Sequence, residues 1–131
     1  MNIRVVAGTP YVTASLTHNG KRLALDRVVL DTGSGGCVFS ANELLQLDIV
    51  VERTDRLYKI AGVGGREFVF SRRLEGVAVG DMEVRGFEVQ VGAMNYGFPV
   101  QGIIGLDFLL QVGAVIDLDR LELSERRSSR D

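Results

Sequence analysis

Apolar and polar positions alternate along much of this chain, and the alternation has the two-residue period of a strand, not the 3.6-residue period of a helix. The first such run is Tyr11-Val12-Thr13-Ala14-Ser15-Leu16-Thr17, rich in β-formers. Asn19-Gly20 follows it closely, a pair suited to a type I′ turn because both central positions there take positive φ. The return strand covers residues 22–30 and ends in Val28-Val29-Leu30, a continuous apolar run of the kind found in a covered strand. Residues 58–70 read as a second hairpin with a glycine-rich tip. Residues 74–79 and 82–91 form a third around Gly80-Asp81. Ile103-Ile104, residues 114–117 and residues 121–123 complete the strands, and residues 49–51 are expected to be extended.

Helical signal is confined to two short stretches. Ser40 and Glu43 stand at capping-box spacing ahead of Leu44, Leu45 and Leu47. Residues 106–111 can make a brief helix that Gly113 would end. Several short strands at regular spacing with one or two short helices predict an all-β, barrel-like domain.

At 131 residues the chain is sized for one domain. The domain is expected over residues 1–123, followed by a charged, small-residue tail over residues 124–131 that frays. A net charge of −2 gives no general attraction to nucleic acid or to an anionic membrane. No stretch approaches the length of a membrane span, and residues 1–8 lack the apolar core of a signal peptide. Cys37 is the one cysteine, so no internal disulfide and no oxidising compartment is implied, and a cytoplasmic location is the default. His18 is the one histidine; it precedes a turn, is expected to be solvated, and has no partners for a zinc site. No metal and no cofactor is expected.

The stretch that carries chemistry is Leu30-Asp31-Thr32-Gly33-Ser34-Gly35-Gly36. An apolar strand delivers a carboxylate into a turn of small residues, three of them glycines that tolerate unusual backbone angles. An acid held close to other backbone costs free energy unless it is paired or hydrogen-bonded. Further on stands Ile103-Ile104-Gly105-Leu106-Asp107-Phe108-Leu109. Together, Asp-Thr-Gly-Ser after an apolar strand and this later apolar-apolar-Gly segment resemble the single-domain, retropepsin-like aspartic proteases of bacterial and cellular type. The resemblance runs from about Tyr11 to Leu123 and implies the acid protease fold, a closed β-barrel with one or two short helices.

It also implies an activity: aspartic-type endopeptidase hydrolysis of a peptide or protein substrate. Asp31 would be the catalytic acid/base. In the active-site loop, Thr32 would hydrogen-bond across a dimer beneath the catalytic pair. Gly33 would contact substrate backbone, and Ser34 would hydrogen-bond the carboxylate. Ala61, Gly62, Val63, Gly64 and Gly65 would form a flap over the bound peptide. Hydrolysis by carboxylates needs two of them at one water, one to take a proton and one to give it. The chain holds one Asp-Thr-Gly and no internal repeat. The second carboxylate must then come from another copy across a twofold axis, which predicts a homodimer. Retroviral members carry Asp two residues beyond the Asp-Thr-Gly and Arg directly after the later Gly. Gly35 and Leu106 stand at those positions here, so the retroviral ion pair is absent as a unit.

Other readings compete at single residues. A glycine loop for phosphate fails at residues 62–65, because a strand and not a helix follows. Asp107 opens a helix, where a carboxylate suits the dipole, and reads as structural. Asp117-Leu118-Asp119 reads as a turn, Cys37 as a small buried apolar residue, and Arg126, Arg127 and Arg130 as a solvated tail. The alternative to catalysis is a binding or interaction module that keeps this fold without activity.

Overall fold

A computed structural model describes residues 1–62 and 65–126. The Asn19-Gly20 turn forms as its residues demand, with φ of 52° and 73°. It joins β2 (Thr9–His18) to β3 (Lys21–Leu30) in antiparallel register, Tyr11 opposite Val29 and His18 opposite Lys21. Ahead of them lies β1 (Arg4–Val6), paired with β2. The sequence pattern does not mark this strand. Its turn is Ala7-Gly8, and Ala7 takes φ 51° where Asn or Gly is the usual sign.

β4 (Val38–Ser40) leads into α1 (Ala41–Leu44) and one 3-10 turn (Leu45–Leu47). The capping box does not form: Ser40 is the N-cap, but its side chain makes no capping hydrogen bond. The reason is tertiary. The Ser40 N–H that Glu43 would have bonded already donates to the Gln101 carbonyl at 2.9 Å, and Glu43 accepts from Gln46 instead. Residues 49–51 pair with no strand; Arg72 donates to the Val50 carbonyl there and, at 2.7 Å, to Asp55.

β5 (Tyr58–Gly62) and β6 (Gly65–Val79) make the second hairpin, with Gly62 opposite Gly65. β6 continues into the third hairpin with β7 (Met82–Gly92) through Gly80, φ 61°. β8 (Gly102–Ile104), α2 (Leu106–Val112), β9 (Ala114–Asp117) and β10 (Glu122–Glu125) follow. Gly113, φ 64°, ends α2 as expected. β10 runs two residues into the segment read as tail, while residues 127–131 lie outside the described ones. Asp117 caps its own turn, accepting the N–H groups of Asp119 and Arg120 at 3.0 Å.

The strand order is β1-β2-β3-β8-β4-β7-β6-β5. An additional antiparallel pairing of β2 with β6 closes the sheet into a ring, while β9 and β10 form a separate pair. The fold is all-β with two short helices among the described residues. Inside the ring, Leu16, Leu25, Phe39, Val89 and Ile104 are fully buried. Phe108 plugs the end of this core from α2, its ring edge-on to Phe87 at 5.8 Å. Within the described residues, no helix is long and apolar enough to cross a membrane.

Candidate active site

Strand order brings the two chemistry-bearing stretches together. β8 lies between β3 and β4, parallel to β3, with Val28 opposite Gly102 and Leu30 opposite Ile104. The loop after β3 therefore meets the start of α2 directly. Asp31 donates its N–H to the Ile104 carbonyl at 3.0 Å, and Leu106 donates to the Ser34 carbonyl at 2.7 Å. Gly105 sits at the crossing. A Cβ there would lie 2.5 Å from the Gly36 oxygen and 2.8 Å from the Ser34 oxygen, both backbone, so only glycine fits.

The Asp31 carboxylate is half-buried, and its Oδ1 accepts the Gly33 N–H at 2.9 Å. Oδ2 makes no hydrogen bond among the described residues. Thr32 and Gly33 are exposed. Ser34 does not bond the carboxylate: its hydroxyl donates to the Gly36 carbonyl at 2.8 Å, closing the turn on itself. Of the flap residues, Val63 and Gly64 lie outside the described ones. Ala61, Gly62 and Gly65 are placed as paired hairpin backbone.

Behind the loop, Cys37 is buried as expected, and it does more than fill space. Its thiol donates to Asp107 Oδ1 at 3.2 Å and accepts the Gly105 N–H at 3.3 Å. Asp107 also accepts the Phe108 N–H at 2.8 Å, which confirms its structural part in opening α2. Burial, with the Asp107 charge beside it, pushes the thiol well above its usual range, so Cys37 is an inert thiol. His18 is half-buried rather than solvated, and its Nδ1 is buried without a hydrogen bond among the described residues.

A cavity of about 540 Å³ opens at Asp31. One set of lining residues, Val29, Val38 and Ile103, comes from the strands that carry the loop. A second set comes from elsewhere: Ile60 on β5, and Tyr96, Phe98 and Val100 from the 93–101 segment. Asp31 is the one carboxylate among the lining residues described. No motif marks the 93–101 segment in the sequence. Nothing local in Tyr96 or Phe98 announces that the fold turns them toward Asp31. The Tyr96 hydroxyl donates to Glu67 at 3.1 Å, and burial, then the Glu67 charge, push its pKa up to about 12.

The family model of aspartyl proteases matches residues 14–108, a span that holds the Asp31 loop, the β5–β6 hairpin and the Gly105 crossing. The chain belongs to the aspartyl protease family. A search of the curated proteins found no match. Family membership supports protease activity in general terms.

Proposed function

We propose that the protein is a homodimeric aspartic endopeptidase whose active site forms where two copies bring their Asp31 side chains to one water. The observation that carries this reading is a largely apolar cleft in which Asp31 is the one carboxylate among the described lining residues, flanked by exposed Thr32 and Gly33. One acid cannot both take and give a proton in the same step. In the assembled pair, as in aspartic proteases generally, two adjacent carboxylates share one proton because both cannot stay charged. The ionised Asp31 takes a proton from the water as its oxygen bonds to the scissile carbonyl carbon. The protonated Asp31 gives its proton to the carbonyl oxygen. As the C–N bond breaks, the Asp31 that took the water proton gives it to the leaving nitrogen. The other Asp31 takes a proton back from a hydroxyl of the tetrahedral intermediate as the carbonyl re-forms, so the pair returns to its starting state. Gly33 N–H holds Oδ1 in place while Oδ2 is left to face the water.

Thr32 is available for a cross-dimer hydrogen bond, and Leu106, 39% exposed beside the loop, adds apolar surface for the same contact. Residues 61–65 would cover the peptide. The apolar lining favours apolar side chains next to the cleaved bond. The one cysteine, Cys37, can form no internal disulfide, so no oxidising compartment is implied and the cytoplasm is the default proposal.

Asp31→Asn tests the mechanism. General acid–base work contributes about 10²–10⁴-fold, so cleavage should fall at least a hundredfold with the melting temperature nearly unchanged. Specific activity of the parent should rise with concentration in step with dimerisation measured by sedimentation. A strictly monomeric chain, or an Asp31→Asn chain that cleaves like the parent, excludes this reading in favour of a binding module.

A further inference from the structure

One carboxylate outside the catalytic loop is placed to govern the cleft. Glu67, on β6, engages the 93–101 segment with both oxygens: Oε2 accepts the Met94 N–H at 2.9 Å, and Oε1 accepts the Tyr96 hydroxyl at 3.1 Å. Two backbone features serve this bridge. Met94 is buried and takes φ 58°, a left-handed conformation that is unfavourable for a long side chain and persists only where its surroundings fix it. A charged acceptor on its N–H is such a fixing contact. Gly92 lies opposite Val69 across the β6–β7 ladder. A Cβ at Gly92 would come 2.8 Å from Val69 Cγ1 and 3.1 Å from Glu67 Oε2, so its absence leaves the room the carboxylate occupies. The far end of the segment is pinned independently, by Arg27 Nε to the Pro99 carbonyl and by the Gln101 side chain, each at 3.0 Å.

We propose that Glu67 is a positioning residue that holds Tyr96 beside Asp31, and that Tyr96 thereby sets how bulky an apolar side chain the cleft accepts. This rests on the cleft being a peptide site. Glu67 itself is not asked to touch substrate; it acts through Tyr96. Were the bridge merely a fold contact, breaking it would change stability and leave side-chain preference alone.

The experiment is calorimetric binding of reduced-bond peptide analogues, alike except for one apolar side chain next to the reduced bond, combined with hydrogen exchange at the Met94 amide. Glu67→Gln and Tyr96→Phe should each weaken the preferred analogue about tenfold, as loss of a hydrogen bond to a charged group implies. The double variant should be no weaker than Glu67→Gln alone, because Tyr96→Phe removes a hydrogen bond that Glu67→Gln has already broken. Met94 exchange should accelerate in Glu67→Gln. Tyr96→Ala should shift preference to a bulkier side chain. Tyr96→Phe removes a single hydroxyl, so the test stands even if a larger change unfolds the chain. Unchanged affinities, fully additive losses, or a preference blind to Tyr96→Ala overturn the proposal. A protein that shows the expected shifts yet cleaves no peptide overturns the proteolytic reading and leaves this one intact. One that cleaves with a preference indifferent to Glu67 and Tyr96 does the reverse.

Discussion

The two linings of the cleft are built by different means. The Asp31 lining is fastened by backbone: Asp31 to Ile104, Leu106 to Ser34, and a glycine crossing at Gly105 that leaves no room for a side chain. The Tyr96 lining is fastened largely by side chains reaching across the sheet, Glu67 at one end and Arg27 with Gln101 at the other. Backbone contacts are indifferent to most substitutions, so they suit a carboxylate whose position must not drift. Side-chain contacts change with a single residue, so they suit a surface that distinguishes one substrate from another. On the proposed function, chemistry and selectivity would rest on separable parts of one fold.

The largest break in this contrast is Gly105→Ala. The added methyl would meet two backbone oxygens, neither of which can swing aside as a flexible side chain can. Overpacking of this kind costs roughly 1–3 kcal/mol, and a backbone obstacle places it at the upper end. The urea midpoint should fall accordingly. Cleavage should fall with it even at concentrations where the variant stays folded, because the Asp31 loop must shift to make room. A variant as stable and active as the parent would mean that the crossing is loose.

Asp107→Asn should do less. The carboxylate joins Cys37 to the start of α2, and the amide keeps one acceptor oxygen while turning a donor toward the Cys37 N–H, 3.4 Å from Oδ2. Loss of roughly 1.5 kcal/mol is expected, the low end for a hydrogen bond to a charged group, because the amide keeps one acceptor. The effect should appear in the denaturation midpoint, with peptide side-chain preference unchanged. If preference moved instead, the two linings would be coupled through α2 and the separation argued above would fail.

The same contrast explains what the sequence disclosed. Each half of the Asp31 lining was legible because its signal is local, an apolar run into Asp-Thr-Gly and a later Ile-Ile-Gly; the parallel pairing that sets the two side by side joins distant residues and no motif announced it. The Asn19-Gly20 and Gly80-Asp81 hairpins were legible through local signals too. The Tyr96 lining was not, because Glu67 and Tyr96 lie 29 residues apart and neither carries a motif. Where local signals misled, a distant partner had intervened. Gln101 took the N–H that a capping box at Ser40 needed, and Gly36 took the Ser34 hydroxyl expected at Asp31. β1 was missed because Ala7 fills a turn position that usually advertises itself with Asn or Gly.

The smallest effect reads the second lining without any substrate. Tyr96 ionises at about 12, raised by burial first and then by the Glu67 charge, the hydrogen bond to Glu67 and the Asp31 charge. Protonated tyrosine is neutral, so burial and negative neighbours both favour it. The folded chain therefore holds this proton more tightly than the unfolded chain, where tyrosine titrates near its ordinary value of about 10. The stability so contributed is complete below about pH 10 and is lost as pH rises through about 12. Absorbance of tyrosinate should show a late step, and Tyr96→Phe should delete it. Glu67→Gln should move that step down toward the ordinary value without abolishing it, since burial, the leading cause, remains. A Tyr96 that titrates like a free tyrosine in the parent would show that Glu67 does not hold it in solution. The second lining would then be shaped by substrate and not by the fold.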